Sequence, residues 1–183
     1  NDQDQGDYRK MTVDMRSFLQ EIKKTNDVFT VKKGVSTKYE IAAVTEKLDE
    51  SKAVLFENIK GSKFKMVSNL VGSRDRFAQA IGAKKSDINQ KIVKAISSAK
   101  KPKISKTAKF FENSSNDISI LPIVTHFQNE SGPFITSSIL YTKNQEEKSQ
   151  NSSFHRLMPI GKNQFSIRMV EDRDLHRSFM FAK

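Results

Sequence analysis

The chain contains no cysteine and no long hydrophobic run. Without cysteine it can form no disulfide, no catalytic thiolate and no cysteine-ligated zinc site. No stretch approaches the roughly 18 apolar residues that a membrane-spanning helix requires. The polar N-terminus has none of the features of a secretory signal. We therefore expect a cytoplasmic protein with no membrane span. The chain opens on Asn1 rather than Met, so we also expect a processed or trimmed piece of a longer product.

Four widely used functional motifs are also missing from the sequence. There is no GxxxxGK phosphate loop, no GxGxxG dinucleotide fingerprint, no HExxH zinc helix and no GxSxG nucleophile turn. A function must therefore be sought in other patterns.

Acidic residues are outnumbered, with 21 Asp and Glu against 32 Lys and Arg, which gives a formal net charge of +11. Nine lysines lie between Lys84 and Lys109, where Asp87 is the single acid. Such a segment can bind nucleic acid. It contains no arginine and no aromatic residue, so the usual base-reading and base-stacking side chains are absent. We favour a solvated helix face followed by a lysine-rich linker, and keep a basic nucleic-acid-binding module as an alternative.

The first half of the chain alternates between helix and strand patterns. Residues 1–13 are predicted to be a disordered leader, and residues 14–102 a small α/β lobe. The lobe's helices are expected near residues 15–22, 39–48, 74–81 and 88–100. Its strands are expected at 27–33, 53–56 and 64–67.

Helix starts in this lobe are marked by capping residues. Asp14 is expected to cap the first helix and Ser73 the third. Ser86 or Asp87 is expected to cap the fourth, in which Ile88, Ile92 and Ile96 form one apolar stripe.

The second half changes character after Pro102. Residues 103–183 are rich in short strands separated by polar or Gly/Pro turns, which favours an antiparallel barrel or sandwich. The predicted strands run from Lys109 to Glu112, Ile118 to Thr125, Phe134 to Thr142, Phe154 to Ile160 and Phe165 to Val170. A last helix is expected from Asp172 to Phe181. The fold class predicted for the whole chain is therefore α+β.

The segment Asn151–Arg156 is unusually polar for a strand. It carries an amide, two hydroxyls, an imidazole and a guanidinium within Asn-Ser-Ser-Phe-His-Arg. A core strand has no use for so many hydrogen-bonding groups, whereas a strand that lines a bound anion or cofactor does. Taken alone, His155 would be an ordinary half-buried histidine. We expect the chemistry of the protein in this segment.

These residues are part of a wider resemblance to the UbiD-type decarboxylases, which use prenylated flavin mononucleotide. The matching segments are DMRSFL (14–19), EIAAVT (40–45), AVLFENIKG (53–61), NLVGSR (69–74), GPFIT (132–136) and the Asn151–Arg156 strand. Single segments are weak signals, but their order and spacing extend over nearly everything from residue 14 to 181. The chain resembles the N-terminal part of that family.

The resemblance implies that the α/β lobe precedes a split β-barrel flavin-binding domain, present here as its first part. In such a domain Arg156 would sit over the flavin and hold the substrate carboxylate. Ser153 and the backbone of Phe154 and His155 would face the prenylated FMN. Thr136 or Ser137 would bind the flavin ring or phosphate, and Arg173 the phosphate. The implied reaction is non-oxidative decarboxylation of an aromatic or α,β-unsaturated carboxylic acid.

A divalent metal at the cofactor phosphate is also implied by the resemblance. Asn151 matches one of the family's metal-binding positions, and the ion would be Mn or Mg, with a monovalent cation as a further candidate. At position 174 the family usually places a histidine, whereas this chain has Asp174. Asp174 is an acceptable oxygen ligand, and the alternative interpretation is that it caps the last helix.

The family's third metal ligand and its acid/base glutamates lie beyond the matched part. We therefore expect a fragment of a longer enzyme, a subunit that needs a complementary C-terminal chain, or a non-catalytic relative that serves in assembly. Family members are usually oligomers, so a homo-oligomer is also expected.

Overall fold

The computed structural model describes residues 14–100, 106–108, 112–144 and 149–183. The predicted leader and most of the strand expected at 109–112 lie outside these residues. Two compact units are found, Asn1–Val35 with Val44–Ser114, and Ser36–Ala43 with Ser115–Lys183. No helix in the described ranges is both long and apolar enough to cross a membrane. The mixed α and β content confirms the predicted α+β class.

The first unit is built on a three-stranded sheet. Its strands are β1 (Val28–Val31), β2 (Ala53–Phe56) and β3 (Met66–Ser68) in the order β1-β2-β3. β1 and β2 are parallel, and β2 and β3 are antiparallel. All four residues of β2 are buried, as the continuous apolar run predicts for a central strand. Its helices are α1 (Met15–Lys24), α3 (Arg74–Ala80) and α4 (Ile88–Ser97), while α2 (Glu40–Lys47) begins in the second unit.

Two of the expected helix caps are confirmed. The Asp14 carboxylate accepts hydrogen bonds from the backbone N–H of Arg16 and Ser17, at 2.8 and 2.9 Å. The Ser73 hydroxyl accepts from the backbone N–H of Arg76 at 3.3 Å.

The expected cap of α4 is correct in position only, because Asp87 occupies the N-cap but its side chain makes no capping hydrogen bond. A short 3-10 helix, Lys85–Asp87, leads into α4, and no side chain caps it. The Ser86 hydroxyl instead donates to the Asp87 carboxylate at 2.5 Å. The apolar stripe is buried only at its start, because Ile88 is 4% exposed whereas Ile96 is 74% exposed.

The second unit is built on an antiparallel sheet. Its strands are β4 (Ile135–Asn144), β5 (Ser149–Gly161) and β6 (Gln164–Ile167) in the order β4-β5-β6. The chain ends in α5 (Asp174–Ala182), which packs against β4 and β5. Three of the five strands predicted for this half, those from Phe134, Phe154 and Phe165, are confirmed, as is the last helix. β5 begins earlier than the predicted strand and contains the whole Asn151–Arg156 segment.

The strand predicted from Ile118 to Thr125 is wrong. Its first part is a 3-10 turn, Ile118–Ile120, because the Asp117 carboxylate accepts from both the backbone N–H and the hydroxyl of Ser119. Pro122 then removes a backbone donor from the middle of the segment. Only isolated bridges remain, between Val124 and Phe134 and between Thr125 and Lys38.

Candidate functional site

Strand β5 presents two different sets of side chains. Asn151, Ser153 and His155 are half-buried, whereas Ser152, Phe154 and Arg156 are exposed. Successive strand residues point to opposite faces of a sheet. The predicted site residues are therefore divided, with Arg156 on the face opposite the amide, hydroxyl and imidazole. The resemblance alone did not predict this separation.

The half-buried side chains form a directed chain of hydrogen bonds. Asn151 Nδ2 lies 3.4 Å from Ser153 Oγ, Ser153 Oγ lies 2.9 Å from His155 Nε2, and His155 Nδ1 lies 3.4 Å from the carbonyl oxygen of Arg168. A carbonyl only accepts, so in neutral His155 the proton sits on Nδ1 and Nε2 accepts from Ser153. Ser153 in turn accepts from Asn151. The Asn151 carbonyl oxygen, Oδ1, takes no part in this chain.

Thr142 adds a second oxygen beside Asn151. It is the direct cross-strand partner of Asn151, and both residues are half-buried. Directly opposed residues on one face have Cβ atoms about 4.5–5.5 Å apart. The Thr142 hydroxyl is buried and has no hydrogen-bond partner in the described part of the chain. A buried hydroxyl without a partner is costly, so this one is available to a bound group.

Arg156 is fixed by two neighbours. Its Nη2 donates to Glu130 Oε1 at 2.5 Å, and its guanidinium carbon lies 4.0 Å from the centre of the Phe134 ring. The Arg156 side chain is still 56% exposed, whereas the Glu130 side chain is only 7% exposed. Arg156 is therefore a positioned cation that remains accessible to a ligand.

The loop around Glu130 stabilises the ionised form of its side chain. Its Oε2 accepts from the backbone N–H of His126 at 2.8 Å and lies 3.6 Å from His126 Nδ1. Burial raises the pKa of Glu130, but the backbone N–H groups of His126 and Phe127, with the charges of His126 and Arg156, outweigh it. The net effect is a pKa below the ordinary value.

Thr136 and Ser137 lie in a bulge of β4. Ile135 pairs with Leu157 and Ser138 pairs with His155, so β4 has one more residue than β5 in this stretch. The bulge lies across from Arg156, and both Thr136 and Ser137 are exposed. Bulges of this kind re-aim side chains and are common beside active sites.

Arg173 and Asp174 lie at the start of α5. Arg173 occupies the N-cap position and Asp174 is the first helical residue. Because Asp174 is inside the helix and no side chain caps it, the interpretation of Asp174 as the cap is wrong. Both residues are exposed, and neither side chain has a hydrogen bond or ion pair within the described ranges. The backbone N–H of Asp172 donates to His176 Nδ1 at 3.3 Å, which gives that histidine a local structural role.

The described residues contain no group of three or more His, Cys, Asp or Glu side chains placed to hold a metal ion. The two residues opposed across the strands, Asn151 and Thr142, offer Oδ1 and Oγ1, and Asp174 in the first turn of α5 stays a predicted ligand. Oxygen donors of this kind suit Mg and Mn better than zinc or copper.

Two lysines of the basic segment have local partners. Lys85 pairs with Asp75 at 2.9 Å, and Lys91 donates to the carbonyl of Gly82 at 2.6 Å. These contacts favour the interpretation of the described part of this segment as a solvated face.

Sequence reasoning missed Glu130, Phe134 and Thr142 as members of the site. Glu130 lies in a turn between strands, where an acidic residue is ordinary. Thr142 is marked only by its pairing with Asn151, and that requires the register of β4 and β5.

Two models of one family match adjacent parts of the chain. The N-terminal domain of 3-octaprenyl-4-hydroxybenzoate carboxy-lyase matches residues 19–96. The Rift-related domain of the same carboxy-lyase matches residues 97–183.

Known proteins show the same similarity. Anhydromevalonate phosphate decarboxylase from Methanosarcina mazei is 32% identical over 160 residues, which are 86% of this chain and 36% of that protein. The UbiD-class enzyme HmfF from Pelotomaculum thermopropionicum in complex with FMN is 28% identical with a TM-score of 0.87, covering 91% of this chain and 39% of that one. An evolved dimeric form of HmfF in complex with prFMN is 26% identical with a TM-score of 0.81, covering 91% and 40% of the two chains.

Proposed function

Since the chain belongs to the UbiD family of carboxy-lyases, we propose that it is the cofactor-binding portion of a non-oxidative decarboxylase. The proposed substrate is an aromatic or α,β-unsaturated carboxylic acid, and the proposed cofactor is prenylated FMN. The HmfF relatives are described as complexes with FMN and prFMN, which supports the choice of cofactor. The chain spans 36% of the length of the Methanosarcina decarboxylase. We therefore assign the activity to a polypeptide or complex that also supplies the family's acid/base glutamates.

The observation that supports this proposal is that Arg156 is held in place and still has exposed N–H donors. A guanidinium offers five N–H donors in one plane, and two parallel donors match the two oxygens of a carboxylate. Glu130 accepts from one donor and the Phe134 ring covers one face of the guanidinium, which leaves other donors exposed. We assign Arg156 the binding and orientation of the substrate carboxylate.

The open edge of β5 supports the cofactor assignment. β5 pairs with β4 along Ser149–Leu157, but its pairing with β6 begins only at Leu157. Along Asn151–Arg156 the second edge of the strand carries no other strand among the described residues. Backbone groups there can bind a ligand, in line with the roles proposed for Phe154 and His155. Ser153, Thr136 and Ser137 are the proposed side-chain contacts, and Arg173 the proposed phosphate contact.

When bound, the prenylated flavin supplies the electron sink for loss of CO2. The sheet β4-β5-β6 would then be part of the split β-barrel that the resemblance implies.

Asn151 and Asp174 are the proposed ligands of a Mn or Mg ion, with a monovalent cation as a further candidate. The residues fit such an ion because Asn151 Oδ1 is left out of the side-chain hydrogen-bond chain. The Thr142 hydroxyl beside it is buried without a partner in the described ranges. Mg and Mn also retain water and take phosphate oxygens, so two or three protein donors are sufficient.

The exposed face of β4 and β5 supports a role in assembly. Ile139 and Phe154 are opposed across the strands and are 50% and 76% exposed, and Tyr141 is 78% exposed. An apolar patch of this kind is typical of an interaction surface. We propose that a second copy or a complementary chain covers this patch and leaves Arg156, on the same face of β5, open to a ligand.

Turnover of the flavin-loaded complete protein tests the proposal. It would be produced together with a flavin-prenylating enzyme and offered 4-hydroxybenzoate, cinnamate and a short 2-alkenoate. We expect CO2 release from at least one acid, and a loss of about 10²–10³-fold in kcat/KM in Arg156→Lys, the size found when one fixed donor is removed. Arg177→Lys, an exposed change on α5, is the matched control and should leave turnover unchanged. Unimpaired turnover in Arg156→Lys would contradict the assignment.

A further inference from the structure

Glu130 is a buried carboxylate for which the proposed reaction has so far no use. It lies in the loop that precedes β4, and its side chain is only 7% exposed. A buried carboxylate is costly unless its oxygens are paired and hydrogen-bonded. The two oxygens of Glu130 have different partners, and this division points to a specific role.

One oxygen of Glu130 is tied to its own loop. Oε2 accepts from the backbone N–H of His126 at 2.8 Å and lies 3.6 Å from His126 Nδ1. The backbone N–H of Glu130 donates to the carbonyl of Phe127 at 3.2 Å, which closes the loop on itself. These bonds fix the direction in which the carboxylate points.

The other oxygen of Glu130 accepts a hydrogen bond from Arg156. Oε1 accepts from Nη2 at 2.5 Å, and the guanidinium carbon lies 4.0 Å from the centre of the Phe134 ring. The Arg156 side chain would sample many rotamers in water. Here the hydrogen bond at Nη2 and the Phe134 ring against one face of the guanidinium hold it in one position. Nε, Nη1 and the second face of the guanidinium are not used by either contact.

We propose that Glu130 is the positioning residue of Arg156, holding the guanidinium so that the N–H donors it does not take face a carboxylate ligand. The identification of that ligand as a decarboxylase substrate rests on the proposed function, whereas the positioning does not. The parallel donor pairs of a guanidinium are Nε with Nη2 and Nη1 with Nη2. Nη2 has two N–H groups and Glu130 takes one, so one of these pairs remains for a carboxylate to bind in bidentate fashion. Glu130 therefore orients the arginine without occupying its binding edge.

Pre-organisation of this kind has a measurable consequence for binding. An arginine that is already fixed loses less rotamer freedom when the ligand binds. Misplacement of a substrate-orienting group by about 1 Å can cost about 10²-fold in rate. Removal of the Glu130 charge should therefore impair turnover without loss of flavin or metal, because Glu130 contacts neither in this proposal.

The decisive experiment is nitrogen-15 NMR of the arginine side chains in the full chain. An ion pair slows rotation of the guanidinium, so the Nη resonances of Arg156 should be resolved rather than averaged. They are assigned by their loss in Arg156→Lys. In Glu130→Gln they should collapse to an averaged signal, and in Glu130→Asp they should be partly averaged. Glu46→Gln, which removes an exposed carboxylate on α2, is the matched control and should leave them unchanged.

Two results would overturn the proposal. Averaged Arg156 resonances in the unaltered chain would show that no fixed pair exists, and this result does not depend on the folding of any Glu130 variant. Resolved resonances that persist in Glu130→Gln would show that another group holds the arginine. A positive NMR result with no decarboxylation by the loaded complete protein would leave the positioning intact and reject the proposed function alone.

Discussion

At the scale of single residues, the ion pair between Glu130 and Arg156 gives a pH-dependent stability. The pKa of Glu130 lies below its ordinary value of 4.5. A carboxyl whose pKa is lowered in the folded protein stabilises the fold above its unfolded pKa, and this contribution is lost as the pH falls through the folded value. The groups that face Glu130 are the imidazole of His126 and the guanidinium of Arg156.

Urea unfolding of the unaltered chain and of Glu130→Gln at several pH values measures this contribution. The difference in the free energy of unfolding should be present at neutral pH and should shrink as the pH falls below 4.5. A difference that grows on acidification would have the wrong sign and would show that Glu130 is not a stabilised carboxylate.

At the scale of elements, helix α3 is attached to its unit by a buried arginine. Arg76 is 4% exposed and donates to the carbonyl of Ser51 at 3.0 Å and to that of Asn69 at 3.2 Å. A lysine at this position would keep the positive charge, but its single ammonium group lacks the two separate terminal nitrogens with which Arg76 reaches both carbonyls. We expect Arg76→Lys to lower the free energy of unfolding by about 1–3 kcal/mol, the cost of leaving a buried group unsatisfied.

The neighbouring Arg74 gives the matched control for this measurement. Arg74 is exposed on the same helix, so Arg74→Lys should change the free energy of unfolding by less than about 0.5 kcal/mol. Chemical denaturation of both variants checks the prediction, and equal losses would show that the two buried hydrogen bonds of Arg76 contribute nothing.

The elements also show how far the sequence alone could predict this fold. β2 has the bounds expected for Ala53–Phe56, because an apolar run of only four residues favours a short buried strand over a helix. The strand predicted from Ile118 to Thr125 is wrong. The Asp117 side chain stabilises a 3-10 turn at its start, and Pro122 has no backbone N–H to donate to a neighbouring strand. The polar residues of strand β5 could be singled out as a candidate site from their chemistry. Thr142 and Glu130 were not, since their roles depend on strand register and loop geometry.

At the scale of the whole molecule, the segment Ser36–Ala43 belongs to the second unit although it is surrounded in sequence by the first. It is attached by a parallel bridge between Lys38 and Thr125 and by hydrogen bonds from Tyr39 N–H to the Thr125 carbonyl and from Thr125 N–H to the Thr37 carbonyl, both 3.1 Å. Contacts between residues so distant in sequence leave no local pattern. The domain boundary expected after residue 102 stays a prediction.

The central claim is that this chain binds a flavin phosphate through the Asn151 face of β5. Titration of the full chain with FMN and Mn²⁺, followed by flavin fluorescence, tests it most directly. We expect about one FMN per chain with affinity that depends on Mn²⁺, and a loss of about 10-fold or more in Asn151→Ala, the size typical when a metal-site group is removed. Asn129→Ala, an exposed change in the loop before β4, should bind as the unaltered chain does. Absence of FMN binding, or equal binding by Asn151→Ala, would contradict the account.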